Sequence, residues 1–366
     1  MKVVMSGGGT AGHVFPAVAV AERLREAGHE VRFVGSARGQ EASLVPAAGF
    51  PFTSVRVASA QTRLSLHTLR ALYLALAAAR TVRPLVRSAD VVVGIGGYAS
   101  APAILAARRS HTPVVLIEPN SVPGLVNRVA ARWASAVATT FEATAARLPP
   151  STRVVRTGDP IRRQIAEVAS DRDERRTQAL REFQLDGERL TVSVLGGSQG
   201  ARRLDQLVAA TIGELGDRSD LQLLVATGPD HVEEVAPAAG SAGQLLVRVV
   251  GFIERMDLAL AVTDLAVARS GSGTLSELAA CGVPSIFVPY PHATENHQEA
   301  NARELERAGA ADVMLEPAMS GALLGERIAV LLADEPRRAS MTTAMLRWAS
   351  PDADRSIADL VMEVAA

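Results

Sequence analysis

The chain has 366 residues, 48% of them hydrophobic, and a formal net charge of −1. That length exceeds what one compact core usually holds, so two domains are expected, and the near-zero charge excludes a global field for nucleic acid. A single cysteine, Cys281, excludes a disulfide framework or a cysteine zinc site; with Lys2 as the only lysine, a Walker-type nucleotide loop is excluded too, as is Schiff-base chemistry outside Lys2 itself.

Strand-forming residues begin at position 2 or 3 and no apolar run is long enough to span a bilayer, so neither a signal peptide nor a membrane helix is expected. Residues 3–5 predict a buried strand, residues 7–9 are all glycine, and Val14, Ala17, Val18, Ala21 and Leu24 then recur at helical spacing. Strand, glycine loop and helix together make an anion cradle, because glycines admit a ligand to the backbone and the helix N-terminus is positive. His13 at the mouth of that loop is a candidate general base; its alternative is a satisfied histidine that fixes the loop.

Further strands are expected at residues 31–34, 52–57, 91–95, 114–117, 136–139 and 153–157, with helices between them. Such alternation predicts a parallel sheet covered on both faces. The helix at 66–86 carries Leu69, Leu72, Tyr73, Leu76 and Ala79 with Arg70, Arg80, Arg83 and Arg87. It has two readings, a core-facing amphipathic helix with a solvated basic face, or a membrane-surface patch. The charged stretch 167–189 reads as the entry into a second domain rather than a core element. From Leu190 the strand, glycine loop and helix pattern restarts, with strands at 221–225, 245–249, 265–268, 285–288 and 313–315 and closing helices at 340–348 and 354–364.

Glycine clusters recur after predicted strands, at 7–9, 94–97, 196–200 and 271–273, which turns alone do not explain. A dinucleotide site wants an acid about 20 residues after the glycines, at the end of the second strand. Here that strand ends Phe33-Val34-Gly35-Ser36, with Glu30 before it and Glu41 well after, which argues against a nicotinamide cofactor. Glu277, one turn inside the helix opened by SGSGTLSE, suits a ribose diol or a helix-dipole role. His292, Glu295, Asn296, His297 and Gln298 suit hydroxyl recognition, and no histidine or acid spacing implies a metal.

The segments GGGTAGHVFPAVAVA, GIGGYASAP, GDPIR, GGSQGA, GFIERM and RSGSGTLSELAACGVPSIFVPYPHATENHQEANA, in this order over roughly residues 1–310, resemble the MurG family of UDP-N-acetylglucosamine transferases. The resemblance implies a GT-B fold of class α/β, two Rossmann-like doubly wound parallel-sheet domains facing across a cleft. The domains would be residues 1–160 (acceptor and membrane side) and 161–338 (UDP-sugar binding), with 339–366 as C-terminal helices packing back on the first domain. It implies transfer of N-acetylglucosamine from UDP-GlcNAc to the muramoyl 4-hydroxyl of a lipid-linked muramoyl-pentapeptide acceptor, with inversion and without cofactor or metal. The partners would be those two substrates and an anionic membrane surface, with no nucleic acid. The location would be the cytoplasmic face of the cell membrane.

By the same resemblance His13 is catalytic, and Thr10, Ala11, Gly12, Asn120, Arg162, Ser198, Ile253, Ser272, Gly273, Thr274, Leu275, Ser276, Glu277 and Gln298 bind UDP-GlcNAc. Gly97 and Tyr98 fall on the acceptor side. The chain departs from the pattern where Ile117-Glu118-Pro119-Asn120 replaces a histidine-led stretch, at Asp159, Ala101 and His297, and at residues 59–63, which lack the family's lysines. A transferase with another acceptor, a UDP-sugar epimerase, a non-catalytic sugar-nucleotide binder and a nicotinamide-dependent oxidoreductase remain alternatives.

Overall fold

The structure, a computed structural model, describes residues 1–8, 11–58, 66–197 and 201–366; the side chains of Ala11, His13, Leu66 and His67 are outside the description. The chain forms two compact units, Met1–Arg162 with Ser350–Ala366, and Arg163–Ala349.

The first unit is a seven-stranded parallel sheet of β1 (Lys2–Ser6), β2 (Glu30–Ser36), β3 (Phe52–Val55), β4 (Val91–Gly94), β5 (Val114–Glu118), β6 (Ala136–Thr139) and β7 (Val154–Arg156), in the order β3-β2-β1-β4-β5-β6-β7. Every pairing is parallel. Both faces are covered, so neighbouring residues of a strand serve opposite cores. Val3, Met5, Phe33, Val93 and Ile117 enter one cluster with the helix Ala11–Glu26 and the C-terminal helix Ala353–Ala365, which gives Ile357, Leu360 and Val361. Val4, Val34, Val92, Leu116 and Val137 enter the other, with the helices Leu66–Arg87 and Ala101–Ser110.

The helix Leu66–Arg87 does not turn its large side chains to the core. Ala71, Ala78, Ala79, Val82 and Val86 face inward, and Leu69, Leu72 and Tyr73 are exposed at 56%, 53% and 69%. The core-facing reading is corrected in this respect: the small residues allow a close approach to Ala103, Ala106 and Ala107 of the neighbouring helix, while Leu69, Leu72 and Tyr73 stay outside the core.

The second unit is a six-stranded parallel sheet of β8 (Leu190–Leu195), β9 (Leu221–Ala226), β10 (Leu246–Val250), β11 (Leu265–Ala268), β12 (Ser285–Phe287) and β13 (Ala311–Val313), ordered β10-β9-β8-β11-β12-β13. The last strand lies two residues earlier than its apolar run suggests.

The stretch expected to be only an entry into this unit is instead the helix Val168–Glu182, with Val168 and Ala179 fully buried. Its arginines cap backbone. The Arg172 guanidinium donates to the carbonyls of Ala261 (3.2 Å), Thr263 (2.6 Å) and Cys281 (3.2 Å), at the C-terminal ends of the helices Met256–Val262 and Ser272–Ala280. A cation there satisfies orphan carbonyls and the negative helix end. Arg176 donates to the Val262 carbonyl at 2.9 Å, and Arg175 pairs with Asp257 at 2.8 Å.

Residues 339–366 do not travel as one piece. The helix Glu335–Trp348 packs on the helices Ser272–Ala280 and Gly321–Ala333 of the second unit, burying Met341 and Met345. After Pro351 the helix Ala353–Ala365 packs on Ala11–Glu26 in the first, tied by Arg23–Asp354 at 2.7 Å.

The return into the first unit depends on Gly158. Its φ is +88°, and a Cβ there would overlap the Ser350 side chain and come within 3.3 Å of Ala353 Cβ. Gly158→Ala is expected to destabilise by about 2–4 kcal/mol, combining left-handed strain with overpacking. A lowered urea midpoint checks this; an unchanged midpoint contradicts it.

Candidate active site

In an open α/β sheet the free ends of the backbone lie where the strand order reverses, at the strands' carboxyl ends. In the first unit that point is between β1 and β4. There the loop after β4 lies directly against the loop after β1: a Cβ on Gly97 would sit 3.1 Å from the Gly8 carbonyl oxygen, and Gly97 has φ +70°. The floor of this crevice is therefore bare backbone. Gly97 and Tyr98 are half-buried on it. The helix that follows β1 begins at Ala11, three residues before the apolar periodicity, so the exposed Gly12 and the backbone of His13 lie in its first turn. Thr10 lies outside the described residues, as do the side chains of Ala11 and His13.

Two acids to which the sequence assigns no role lie beside this crevice. Glu41 is 1% exposed, accepts the Ser36 N–H at 2.8 Å, and fills the space that side chains on Gly8, Gly35 and Gly39 would need. Glu118 ends β5 and is 2% exposed. Its carboxylate accepts the N–H groups of Asn120 (3.0 Å) and Gly124 (2.9 Å) and the Asn127 side-chain amide (3.0 Å). Burial outweighs these bonds and the Asn120 side chain's pull, and pushes its pKa from 4.5 up to about 7. Asn120 is fixed by the same turn, its carbonyl accepting the Thr144 hydroxyl at 3.0 Å. Arg162 stands at the end of this unit, half-buried.

In the second unit the reversal lies between β8 and β11. Ser198 falls outside the described residues. β11 runs through Arg269 and Ser270 into the helix Ser272–Ala280, which has Gly271 as its N-cap and no side-chain cap. The first-turn N–H groups of Ser272, Gly273 and Thr274 consequently lack intrahelical acceptors, the arrangement that suits a phosphate. Leu275 and Ser276 are buried under the helix and Glu277 is half-buried one turn in. Gln298 is tied to this loop: its carbonyl accepts the Ser270 hydroxyl at 2.9 Å and its side-chain oxygen accepts the Tyr290 N–H at 2.9 Å.

Ile253 is carried by a different loop, after β10, and its side chain is 3% exposed. That loop leans on the one after β9, since a Cβ on Gly251 would lie 3.1 Å from Pro229 Cα. His292 is exposed and packs edge-on against Tyr290 at 5.6 Å.

Two further charged residues escape the sequence reading. Arg269 is 6% exposed and spans to the end of β12, donating to the carbonyls of Val288 (3.1 Å) and Pro289 (3.2 Å) and pairing with Glu316. Asp205 lies in the first turn of the helix Arg202–Glu214 and is fully buried. Burial raises its pKa from 3.8 to about 6. Among the described residues no group of three or more histidines, cysteines or acids is arranged to hold a metal.

Residues 3–139 match the glycosyltransferase family 28 N-terminal domain, and residues 191–359 match the glycosyltransferase family 28 C-terminal domain. The chain is 35% identical to the UDP-N-acetylglucosamine–N-acetylmuramyl-(pentapeptide) pyrophosphoryl-undecaprenol N-acetylglucosamine transferase of Desulforamulus reducens, over 100% of this chain and 99% of that one. It is 37% identical to the transferase of the same name from Moorella thermoacetica, over 99% of each. The crystal structure of Acinetobacter baumannii MurG matches it with a TM-score of 0.79 at 29% identity, covering 99% of both chains. Strand-order reversals in two Rossmann-like sheets, both family 28 domains, and relatives matched end to end have one conclusion: the chain belongs to the MurG family of glycosyltransferases.

Proposed function

We propose that this transferase moves N-acetylglucosamine from UDP-GlcNAc to the 4-hydroxyl of a lipid-linked muramoyl-pentapeptide, in a single displacement with inversion at the sugar carbon. The observation that carries the reading is the uncapped N-terminus of the helix Ser272–Ala280 beside Glu277 and the Ser270–Gln298 tie. It offers N–H donors for a diphosphate, a carboxylate for the ribose and an amide for the sugar. Arg162, Ser198 and the Ile253 backbone join the donor site, with Thr10, Ala11, Gly12 and Asn120 assigned to the sugar. Charge gained by the leaving UDP is met by backbone N–H groups, which act without reorganising. His13 takes the acceptor hydroxyl's proton, and Gly97 and Tyr98 lie on the acceptor's side.

A transfer assay with labelled UDP-GlcNAc and a short-chain lipid acceptor tests this. Turnover should persist in chelator, and His13→Ala should lower kcat by more than about 100-fold with folding intact. Calorimetric binding of NAD but not of UDP would sink the reading, and full turnover of the His13 variant would remove the base.

The acceptor's lipid calls for a membrane surface, and the exposed Leu69, Leu72 and Tyr73 on one helix with the exposed Arg70, Arg80 and Arg83 supply apolar anchors and basic partners for anionic head groups. Among the described residues no helix is long and apolar enough to cross a membrane, so the contact is peripheral in this reading. At about 1 kcal/mol per arginine near an anionic surface, changing all three to Gln should weaken vesicle binding by roughly 100-fold and leave UDP affinity unchanged. Sedimentation with phosphatidylglycerol vesicles measures it, and unaltered binding would return the helix to a solvated role.

Glu118 gives the crevice of the first unit a pH dependence of stability. Because its pKa is higher in the fold than in the unfolded chain, the fold holds the proton more tightly. The resulting stability is complete below about pH 4.5 and is lost as pH rises through about 7. The loss amounts to about 3 kcal/mol for a shift of this size. Thermal unfolding from pH 4.5 to 8 should show this slope in the parent and its absence in Glu118→Gln; parallel curves would contradict the assignment.

A further inference from the structure

Asp205 has an unusual combination of features for a carboxylate. It is 0% exposed, and neither side-chain oxygen has a hydrogen-bond partner among the described residues. The helix that carries it follows β8, and β8 pairs with β11 at the strand reversal of the second unit. The charges that face it come from three strand ends. From the N-cap of its own helix the Ala201 backbone N–H draws its pKa down, although the pair falls short of full hydrogen-bond geometry. From the segment after β9 come His231 and Glu234, and from the end of β11 comes Arg269.

The basic side chains nearby are already engaged. Arg269 serves two carbonyls and Glu316. Arg202 pairs with Glu234 at 2.8 Å, and His231 lies 3.3 Å from the same carboxylate. Ionised Asp205 is thus a buried charge whose desolvation outweighs the attraction of its neighbours among the described residues, which makes its proton affinity sensitive to any new charge nearby.

We propose that Asp205 takes up a proton when a diphosphate-bearing nucleotide binds the second unit, so that donor affinity is set by this buried acid. The inference rests on the reading that the diphosphate docks at the carboxyl ends of β8 and β11. A bound diphosphate adds negative charge beside a carboxylate already short of partners. One proton then passes from solvent to an Asp205 oxygen, giving the neutral acid, and returns to solvent when the nucleotide leaves. In the free protein burial has already brought the group's pKa to about 6, so at neutral pH it is ionised and able to accept. Donor affinity should be highest below that pH and fall above it.

UDP-GlcNAc is the proper probe, because both of its phosphates are esterified and neither titrates between pH 5 and 8. Its binding to the full chain is measured by calorimetry from pH 5.5 to 8, in buffers of different ionisation heat. The parent should take up about one proton at pH 7.5, and its affinity should fall about thirtyfold between pH 6 and 8. Asp205→Asn, nearly the same shape, should bind without proton uptake, with an affinity constant within about twofold, and should bind more tightly than the parent at pH 8. His231→Gln should keep the uptake.

No proton uptake by the parent at pH 7.5 overturns the proposal without recourse to any variant. So does uptake that survives Asp205→Asn or disappears in His231→Gln. Glu277→Gln separates the two levels of the argument: if it leaves UDP-GlcNAc affinity intact, the docking site itself is wrong. If it weakens binding while the parent takes up no proton, the site stands and Asp205 has no part in it.

Discussion

A parallel sheet with helices on both faces has no free surface except its strand ends, and that constraint governs both units. In β1, Val3 and Met5 serve one core and Val4 the other, so the buried run of the strand is committed to packing. Polar groups meet a ligand only where the chain leaves the ladder. At the β1–β4 reversal the approach of Gly8 and Gly97 leaves a floor of backbone on which a side chain does not fit. At the β8–β11 reversal the corresponding surface is an uncapped helix start. The strand ends are also the border between low and high dielectric, so an acid placed there is partly stripped of water while still near an anionic ligand.

Three acids meet that border in different ways. Glu41 is enclosed by three glycines and anchored by the Ser36 N–H. Glu118 collects three donors, yet desolvation still carries its pKa to about 7. Asp205 has no hydrogen bond among the described residues and reaches about 6. A net hydrogen bond to a charged group is worth about 1.5–3 kcal/mol, whereas removing a carboxylate from water costs several. Desolvation therefore wins at Glu118 despite good geometry. Both units carry a group whose charge changes close to neutral pH, at the end of the sheet where an anionic substrate would be handled.

The sheets were legible because near-continuous apolar runs punctuated by glycine have few other meanings. Residues 136–139 and 265–268 come out as strands with those same bounds. What periodicity could not supply was direction. In the helix Leu66–Arg87 it marks an apolar stripe but not that alanines, by permitting close helix packing, would take the inside. The stretch 167–189 misleads for a related reason: composition reads arginine as solvated, while the fold offers Arg172 three helix-end carbonyls. Among the residues proposed for the site, Asn120, Gln298 and Glu277 were named through ordered motifs. Glu118 resembles an acid that merely ends a strand, and Asp205 an ordinary acid favouring a helix N-terminus. Their burial is a tertiary fact with no local signature.

The second unit also shows why the donor site as proposed depends on backbone more than on side-chain cations. Arg269 stands three residues before the helix Ser272–Ala280, where a phosphate-binding arginine would be useful, but it turns inward to hold β12 to β11 through the Val288 and Pro289 carbonyls. Ser270 is used to hold Gln298. The groups left facing outward at this terminus are N–H dipoles, amounting to roughly half a positive charge at the helix end. So modest an attraction is easily offset by one buried anion nearby. A proton on Asp205 therefore matters more here than it would at a terminus lined with arginine or lysine.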